Sequence, residues 1–231
     1  MRVQSITELA AVFRTPLTTI KGSVTALMEP TIGENSEARS ALLAETLTAV
    51  DGLDSLVENL LVMNRLDSGL LKPKKSRIDV VDLLSAAADA LRRQSLDYPL
   101  TITVEEDAPS VSLDFILMAQ ALTNILQNVA VHTPPGTRVG LSAVRKGPGV
   151  QLTVADEGPG VPPEEIPNLF GRFYRGTNAA NGCLGLGLSI CKGIVEAHGG
   201  SITAFNNRKG GLSISIFLPE CIAEDQGGSP S

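Results

Sequence analysis

The sequence predicts two domains, an all-α helical hairpin that pairs into a dimeric four-helix bundle and, after it, an α+β sandwich. Three observations carry this. Apolar residues recur at helical spacing up to about Asp67. A basic stretch with Gly69 and Pro73 interrupts the pattern. Beyond Ile78, strand-like and helix-like segments follow one another without strict alternation, which disfavours a doubly wound sheet.

The first helix is read from Ile6, Leu9, Phe13, Leu17, Ile20, Val24 and Leu27, which form one stripe at three-four spacing. Pro16 lies inside it and is expected to bend it and free one carbonyl. Glu29 to Asn35, with Pro30 and Gly33, reads as a turn. A second helix is expected from Ser36 to about Asp67. Its Leu43, Val50 and Val57 lie seven apart, as do Leu53 and Leu60, a coiled-coil seam. One hairpin buries two seams poorly, so a homodimer is expected; a monomeric hairpin packed on the second domain is the alternative.

The expected boundaries are 1–68 for the hairpin, 69–77 for a solvated basic linker, 78–220 for the second domain and 221–231 for a disordered Gly/Ser/Pro tail. Within the second domain the pattern predicts helices over Val80 to Arg93, Phe115 to His132 (capped by Asp114) and Leu186 to His198. It predicts strands over Leu100 to Val104, Val139 to Arg145, Val150 to Ala155, Ser201 to Phe205 and Leu212 to Leu218.

Composition excludes several functions. Of the 231 residues 43% are hydrophobic and 19% charged, enough for a packed core. Aromatic residues make up 3% and Trp is absent, which leaves no stacking platform for single-stranded nucleic acid. The net charge of −6 argues against binding a phosphate backbone, so no nucleic-acid partner is expected. Cys183, Cys191 and Cys221 match no zinc spacing and suggest a reducing cytoplasm. The longest uncharged stretch, Phe115 to Thr137, contains too many amides and two prolines for a membrane span. Any membrane sensor would therefore lie in a region upstream of this sequence.

Four stretches invite a chemical reading. In Asn124-Ile-Leu-Gln-Asn128 two amides share a helix face, where their oxygens suit a hydrated Mg²⁺. Asp156-Glu-Gly-Pro-Gly160 follows a strand, and its carboxylate can accept from an exocyclic amine beside glycines that admit a flat base. Phe170-Gly-Arg-Phe-Tyr-Arg175 offers rings to cover a site and arginines to reach a phosphate. Gly182-Cys-Leu-Gly185-Leu-Gly187-Leu188 opens a helix, where backbone N–H groups and the helix N-terminus favour phosphate. Taken alone, the Asn pair is more often surface decoration or a hydrogen-bonded core contact, Asp156 to Gly160 a plain strand-ending turn, Phe170 to Arg175 a loop anchor, and a glycine-rich turn is weak evidence of phosphate binding. The last is neither a Rossmann fingerprint nor a Walker loop.

In order and spacing the four stretches resemble the N, first glycine, F and second glycine boxes of the GHKL (Bergerat) ATP-binding superfamily, and Gly210-Gly211 resembles its third glycine box. Arg14-Thr15-Pro16-Leu17 is similar to the signature of the dimerisation and phosphoacceptor domain of sensor histidine kinases. Leu56-Val-Glu-Asn-Leu-Leu, Arg65-Leu-Asp-Ser-Gly and Thr133-Pro-Pro-Gly-Thr most resemble the Kdp-type potassium sensors. The resemblance covers nearly the whole chain. It implies the cofactors ATP and Mg²⁺, with Asn128 on the metal, Asn124 acting on the phosphates and Asp156 on the adenine amine. It further implies that Gly158 and Gly160 shape the base pocket. Gly185, Leu186 and Gly187 would form the phosphate loop, and His132 and Arg175 would lie near the nucleotide. ATP-hydrolysing relatives have Glu where Asn124 stands; an amide takes no proton, so the resemblance points to a kinase-type site.

The pattern breaks at the acceptor. Family members read His-Glu-Leu-Arg-Thr-Pro where this chain has Ala11-Val12-Phe13-Arg14-Thr15-Pro16. Ala11 occupies the phosphoacceptor position and Val12 that of its acidic partner; neither side chain can accept a phosphoryl group or a proton. Val131 replaces a phosphate-reaching Lys, and Cys183 and Leu184 replace small or hydroxyl residues, which weakens the expected ATP site. His132 reads equally as a helix-end residue, and His198 as a helix C-terminal residue only. Thr15 stands where relatives position a water that dephosphorylates a response regulator, which would be the partner. Expected is a two-component histidine-kinase-like protein that binds ATP without autophosphorylating. The alternatives are a kinase acting in trans on a partner's histidine, for example in a heterodimer with another histidine kinase, and a nucleotide-free scaffold.

Overall fold

The computed structural model describes residues 2–29, 36–93, 98–106, 110–176, 185–208 and 210–220. Side-chain placement is described for fewer of these, leaving out residues 2–9, Ala11 and Arg93. The turn expected before Ser36, the tail from 221 and the positions of Cys183 and Leu184 therefore lie outside the described residues, apart from Glu29. The chain divides into two units, one of residues up to Leu70 together with Phe173–Leu186, the other of Leu71–Arg172 and the residues from Gly187 onward.

In the first unit, α1 (Arg2–Leu27) runs through Pro16, and α2 (Ser36–Asp67) follows. Pro16 removes the N–H that would reach the Val12 carbonyl, yet the helix continues past it. Ser23, buried near the end of α1, donates to Glu45 Oε2 near the start of α2 at 3.1 Å, as neighbours in an antiparallel hairpin can. The expected seam on α2 divides in two. Leu53 and Leu60 are half-buried, whereas Leu43, Val50 and Val57 are exposed, and Leu47 and Leu61 join them on the open stripe.

The second unit holds β1 (Ser76–Ile78), α3 (Val80–Arg93), β2 (Leu100–Val104), β3 (Val111–Leu113), α4 (Phe115–His132), β4 (Val139–Arg145), β5 (Gly149–Asp156), α5 (Gly187–Ala197), β6 (Ser201–Asn206) and β7 (Leu212–Pro219). One sheet has the order β2-β4-β5-β7-β6; β2 and β4 are parallel and the remaining pairs antiparallel. The β4–β5 turn closes with Lys146 N–H on the Gly149 carbonyl at 2.9 Å. Alternation sorts the faces. Val139, Leu141, Ala143, Val150, Leu152, Val154, Ile214, Ile216 and Leu218 point into the core. The opposite face carries Thr101, Thr103, Ser142, Gln151, Thr153 and Ser215, with Thr153 and Ser215 hydroxyls 3.1 Å apart. Leu83 and Leu84 of α3, Leu122, Ile125 and Leu126 of α4, and Ile190 and Ile194 of α5 complete that core, all essentially inaccessible. Each such side chain stabilises the fold by about 1.5–3 kcal/mol on burial. The result is a layer of helices on a mixed sheet.

Four features depart from the sequence reading. β1 and β3 form a separate antiparallel pair in register Ser76↔Leu113, and a 3₁₀ turn spans Ile166–Asn168. The basic linker is more than a solvated connector. Lys74 N–H donates to Asp114 Oδ2 at 2.8 Å, and Lys75 Nζ to the His198 carbonyl at 3.2 Å. His198 in turn is more than a helix-end residue. It is buried, its Nδ1 lies 2.8 Å from the Ile194 carbonyl, and its Nε2 accepts the Asp114 N–H at 2.9 Å. Asp114 Oδ1 meanwhile caps α4 through Leu117 N–H.

Candidate nucleotide site

β5 delivers Asp156 at its last position. The alternation that turns Val150, Leu152 and Val154 into the core also buries this carboxylate, which is 5% exposed. Oδ1 accepts two backbone N–H groups, from Gly158 at 2.8 Å and from Leu212 at 3.3 Å. The Asp156 main-chain carbonyl accepts Asn207 Nδ2 at 3.1 Å. Among the described residues Oδ2 takes no hydrogen bond. The residue is buried but this oxygen is not sealed off, and a carboxylate oxygen held in one orientation and left over is an acceptor for an incoming donor.

Glycine is required around this carboxylate by contact. A Cβ at Gly158 would lie 2.6 Å from Thr133 Cγ2, and one at Gly211 only 1.9 Å from the Asp156 carbonyl oxygen. Gly160 and Gly211 also have φ of +73° and +90°, the left-handed region that other residues avoid. Thr133 is the C-cap of α4, so the end of α4 abuts the loop that follows Asp156.

α4 carries the two amides. Asn124 is buried and Asn128 half-buried, one turn apart on the same face. Asn128 Nδ2 donates to the Asn124 carbonyl at 3.0 Å, which directs its amide nitrogen inward and leaves Oδ1 as its acceptor. The first residue of α5 lies beside them: a Cβ at Gly187 would stand 3.7 Å from Asn128 Nδ2 and 3.9 Å from Asn124 Cβ. One turn on, the buried Cys191 thiol donates to the Ala121 carbonyl at 3.1 Å. Burial pushes that thiol far above its ordinary pKa, so it is a neutral packing group and no nucleophile.

Val131 and His132 close α4 and are exposed, and partial desolvation lowers the His132 imidazole pKa. Gly185 lies against the backbone of Phe173 and Tyr174, where a Cβ would come 2.3 Å from the Tyr174 carbonyl oxygen. Phe173 itself has a φ of 58°, uncommon for a residue with a side chain. Leu186 is buried, and Arg175 is exposed and engaged in an interaction. These residues of 173–186 belong to the unit that holds the hairpin. In that unit Thr15 is exposed on α1 and also engaged, while Ala11 lies within α1 by its backbone.

Two groupings thus stand on the sheet unit, joined by Thr133: Asn124, Asn128 and Gly187, and Asp156, Gly158 and Gly160. Sequence reasoning gave no place in the site to Asn206, Asn207, Thr133, Cys191 or the Leu212 amide. Asn206 and Asn207 fall between the expected strand Ser201 to Phe205 and Gly210-Gly211, and nothing in their spacing ties them to Asp156.

Comparison with known proteins agrees with this arrangement. Residues 113–222 match the family described as histidine kinase-, DNA gyrase B- and HSP90-like ATPase, and residues 2–69 the His Kinase A (phospho-acceptor) domain. The chain is 35% identical over 214 residues to the sensor protein KdpD of Escherichia coli, covering 92% of this chain and 24% of KdpD. It is 34% identical over 223 residues to the histidine-protein kinase BaeS of the same organism, covering 95% of this chain and 47% of BaeS. Among solved structures, a mycobacterial sensor histidine kinase MprB is 32% identical with a TM-score of 0.56, over 62% of this chain and 97% of that one. The histidine kinase AdeS of Acinetobacter baumannii shares the fold at 20% identity with a TM-score of 0.66, over 90% of this chain and 96% of that one. The chain spans from about a quarter to under half the length of these curated relatives. With both family models matched in order and a 32% identical solved relative covered almost end to end, the chain belongs to the sensor histidine kinases of two-component signal transduction.

Proposed function

We propose that this chain is a dimeric ATP-binding core that signals without phosphorylating itself. The observation that carries the ATP reading is the Asp156 carboxylate. Its Oδ1 is saturated by the Gly158 and Leu212 amides, which leaves Oδ2 to accept the exocyclic amine of adenine. Gly158 and Gly160 keep the adjoining wall free of side chains, so a flat base can approach the backbone. Mg²⁺ would be held by Asn128 through Oδ1, an oxygen donor of the kind this hard cation takes while keeping its waters and phosphate ligands. When bound, the metal supplies charge neutralisation between phosphates. Asn124, buried one turn before Asn128, stands beside it as a neutral amide that orients but takes no proton. The start of α5 at Gly187 brings a helix N-terminus next to both amides, an end that favours phosphate. Gly185, Leu186, His132 and Arg175 are assigned to the phosphate side on the family resemblance.

Loss of autophosphorylation follows from Ala11 and Val12, a methyl and an isopropyl group where the acceptor and its base belong. Dimerisation is supported by the open stripe of Leu43, Leu47, Val50, Val57 and Leu61 on α2, with Leu17 and Val24 exposed on α1. Apolar rows of that length on a hairpin are covered by a second hairpin. A response regulator is the natural partner, and Thr15 the residue to position water for its dephosphorylation.

The deciding experiment is titration of the chain with ATP in the presence and absence of Mg²⁺, beside incubation with γ-labelled ATP. Saturable Mg²⁺-dependent binding with no acid-labile label on the chain is expected. Absence of binding at millimolar ATP would leave only a scaffold. Label on the chain would overturn the reading of Ala11, and label on an added histidine kinase would make the chain a trans-kinase.

A further inference from the structure

We propose that Asn206 and Asn207, the pair at the end of β6, are positioning residues that hold the Asp156 carboxylate and the loop after it so that the site tells adenine from other bases. The inference rests on the nucleotide reading above and adds to it the residues that set base selectivity.

Asn207 uses its whole amide. Nδ2 donates to the Asp156 main-chain carbonyl at 3.1 Å, and Oδ1 accepts the Ser213 hydroxyl at 2.6 Å. Its backbone N–H donates to the Gly211 carbonyl at 2.9 Å. One side chain therefore clamps the β6–β7 turn onto the end of β5. That turn presents the Leu212 N–H that Asp156 Oδ1 accepts, and the contact of Gly211 with the Asp156 carbonyl shows how closely it is pressed. If the clamp is released, one of the two amides that orient the carboxylate moves with it.

Asn206 holds the far end of the same loop. Its Oδ1 accepts the Val161 N–H at 3.0 Å and its Nδ2 donates to the Val161 carbonyl at 2.6 Å. A side-chain amide here takes the place of a neighbouring strand. The match to the loop is tight, because a Cβ at Gly160 would lie 2.8 Å from Asn206 Oδ1. No ladder of the sheet could do this, since β7 separates β5 from β6. Asp156 through Val161 is thus fastened at both ends to two consecutive asparagines. A carboxylate that must meet a base amine within hydrogen-bonding distance loses that contact on a shift of a few tenths of an ångström to an ångström.

A purely structural role would weaken all nucleotides alike, so the informative readout is a ratio. ATP and ITP differ along one edge of the base: ITP carries a carbonyl oxygen at C6 where ATP carries the amine, and a hydrogen on N1 where ATP has a lone pair, so the group meeting the carboxylate at C6 can no longer donate. With Mg²⁺ present, the whole chain should bind ATP about tenfold or more tighter than ITP, the worth of one hydrogen bond to a charged group. In Asn206→Ala and Asn207→Ala that ratio should fall at least about threefold towards unity, by loss of ATP affinity with ITP affinity nearly unchanged. Arg208→Ala, on the same turn and exposed, should keep the ratio. Asn207→Asp retains the acceptor for Ser213 and removes the donor to Asp156, and it serves if the alanine variant does not fold. ATP and ITP affinities that drop in parallel, or a wild type that binds the two equally, would overturn the inference while leaving nucleotide binding intact. A wild type that binds neither would take the nucleotide reading down and this inference with it.

Discussion

His198 and Asp114 share one hydrogen bond that fixes the protonation of the imidazole: Asp114 N–H donates to Nε2 at 2.9 Å, so Nε2 must be bare. Nδ1 faces the Ile194 carbonyl at 2.8 Å and must carry the proton. Burial is the main cause that lowers the His198 pKa below its ordinary 6.5, with the Lys75 charge acting the same way and the Ile194 carbonyl and Asp114 acting against it. The unfolded chain therefore holds more protons than the folded one between the folded pKa and 6.5. Stability from this group is fully present above that window and is lost as pH falls through the folded pKa. His198→Phe should cost about 1–3 kcal/mol at pH 7.5, because it leaves a buried N–H unpaired. It should also flatten the acid side of the stability profile, leaving the slope due to His132, whose pKa is lowered too. Urea unfolding across pH 5 to 8 measures both, and an unchanged slope would contradict the assignment.

Gly211→Ala should be among the most damaging single-methyl changes in the chain. Its φ of +90° is strained for alanine, and its Cβ would fall 1.9 Å from the Asp156 carbonyl oxygen. Backbone must move to relieve that contact. A loss of about 2–4 kcal/mol is expected from the strain and the broken contacts together. Gly210→Ala has a similar φ of +98° but its nearest atom is 3.5 Å away, so it should cost only about 1–2 kcal/mol. Thermal unfolding of the two variants side by side separates contact from conformation; equal losses would show that φ alone matters.

Asp156→Asn isolates the acceptor at the base. An amide placed with its oxygen at the Oδ1 position still receives the Gly158 and Leu212 N–H groups, so the fold should hold to within about 1 kcal/mol. At the Oδ2 position the new NH₂ donates and cannot accept from adenine. ATP affinity should fall about tenfold to a hundredfold by calorimetry. Retained affinity in a well-folded variant would remove Asp156 from the base site.

The hairpin stripe and the nucleotide motifs were legible in the sequence for different reasons. Helical periodicity survives in Leu43, Val50 and Val57 because a bundle repeats the same burial every two turns. Which seam faces α1 was not legible, since Leu53 and Leu60 show the same spacing and only packing distinguishes them. α4 announced itself through Asp114 and a long apolar run, and its cap is made as the spacing required. β1 escaped because three residues, Ser76-Arg77-Ile78, are too few to show a period and their partner β3 is equally short. The tie between Asn207 and Asp156 escaped because it spans 51 positions and depends on β7 lying between β5 and β6. Local patterns mark residues that meet a helix face or a turn; they do not mark residues that meet only through sheet order.

Dimerisation through the open stripe is tested by charge. Leu47 is 63% exposed and Val57 43% exposed in the single hairpin, so replacing either costs little within one chain. In a four-helix bundle the same positions face a second copy. Leu47→Glu combined with Val57→Glu would then bury carboxylates without partners, at a cost of several kcal/mol per dimer. Sedimentation equilibrium should show a dimer for the natural chain and a monomer for the double variant, while circular dichroism keeps its helical signal. The same pair also separates the two uses of the apolar surface. If the stripe served only to rest on the second domain of its own chain, the natural chain would sediment as a monomer at every concentration, and the charged variant would lose stability without any change in mass.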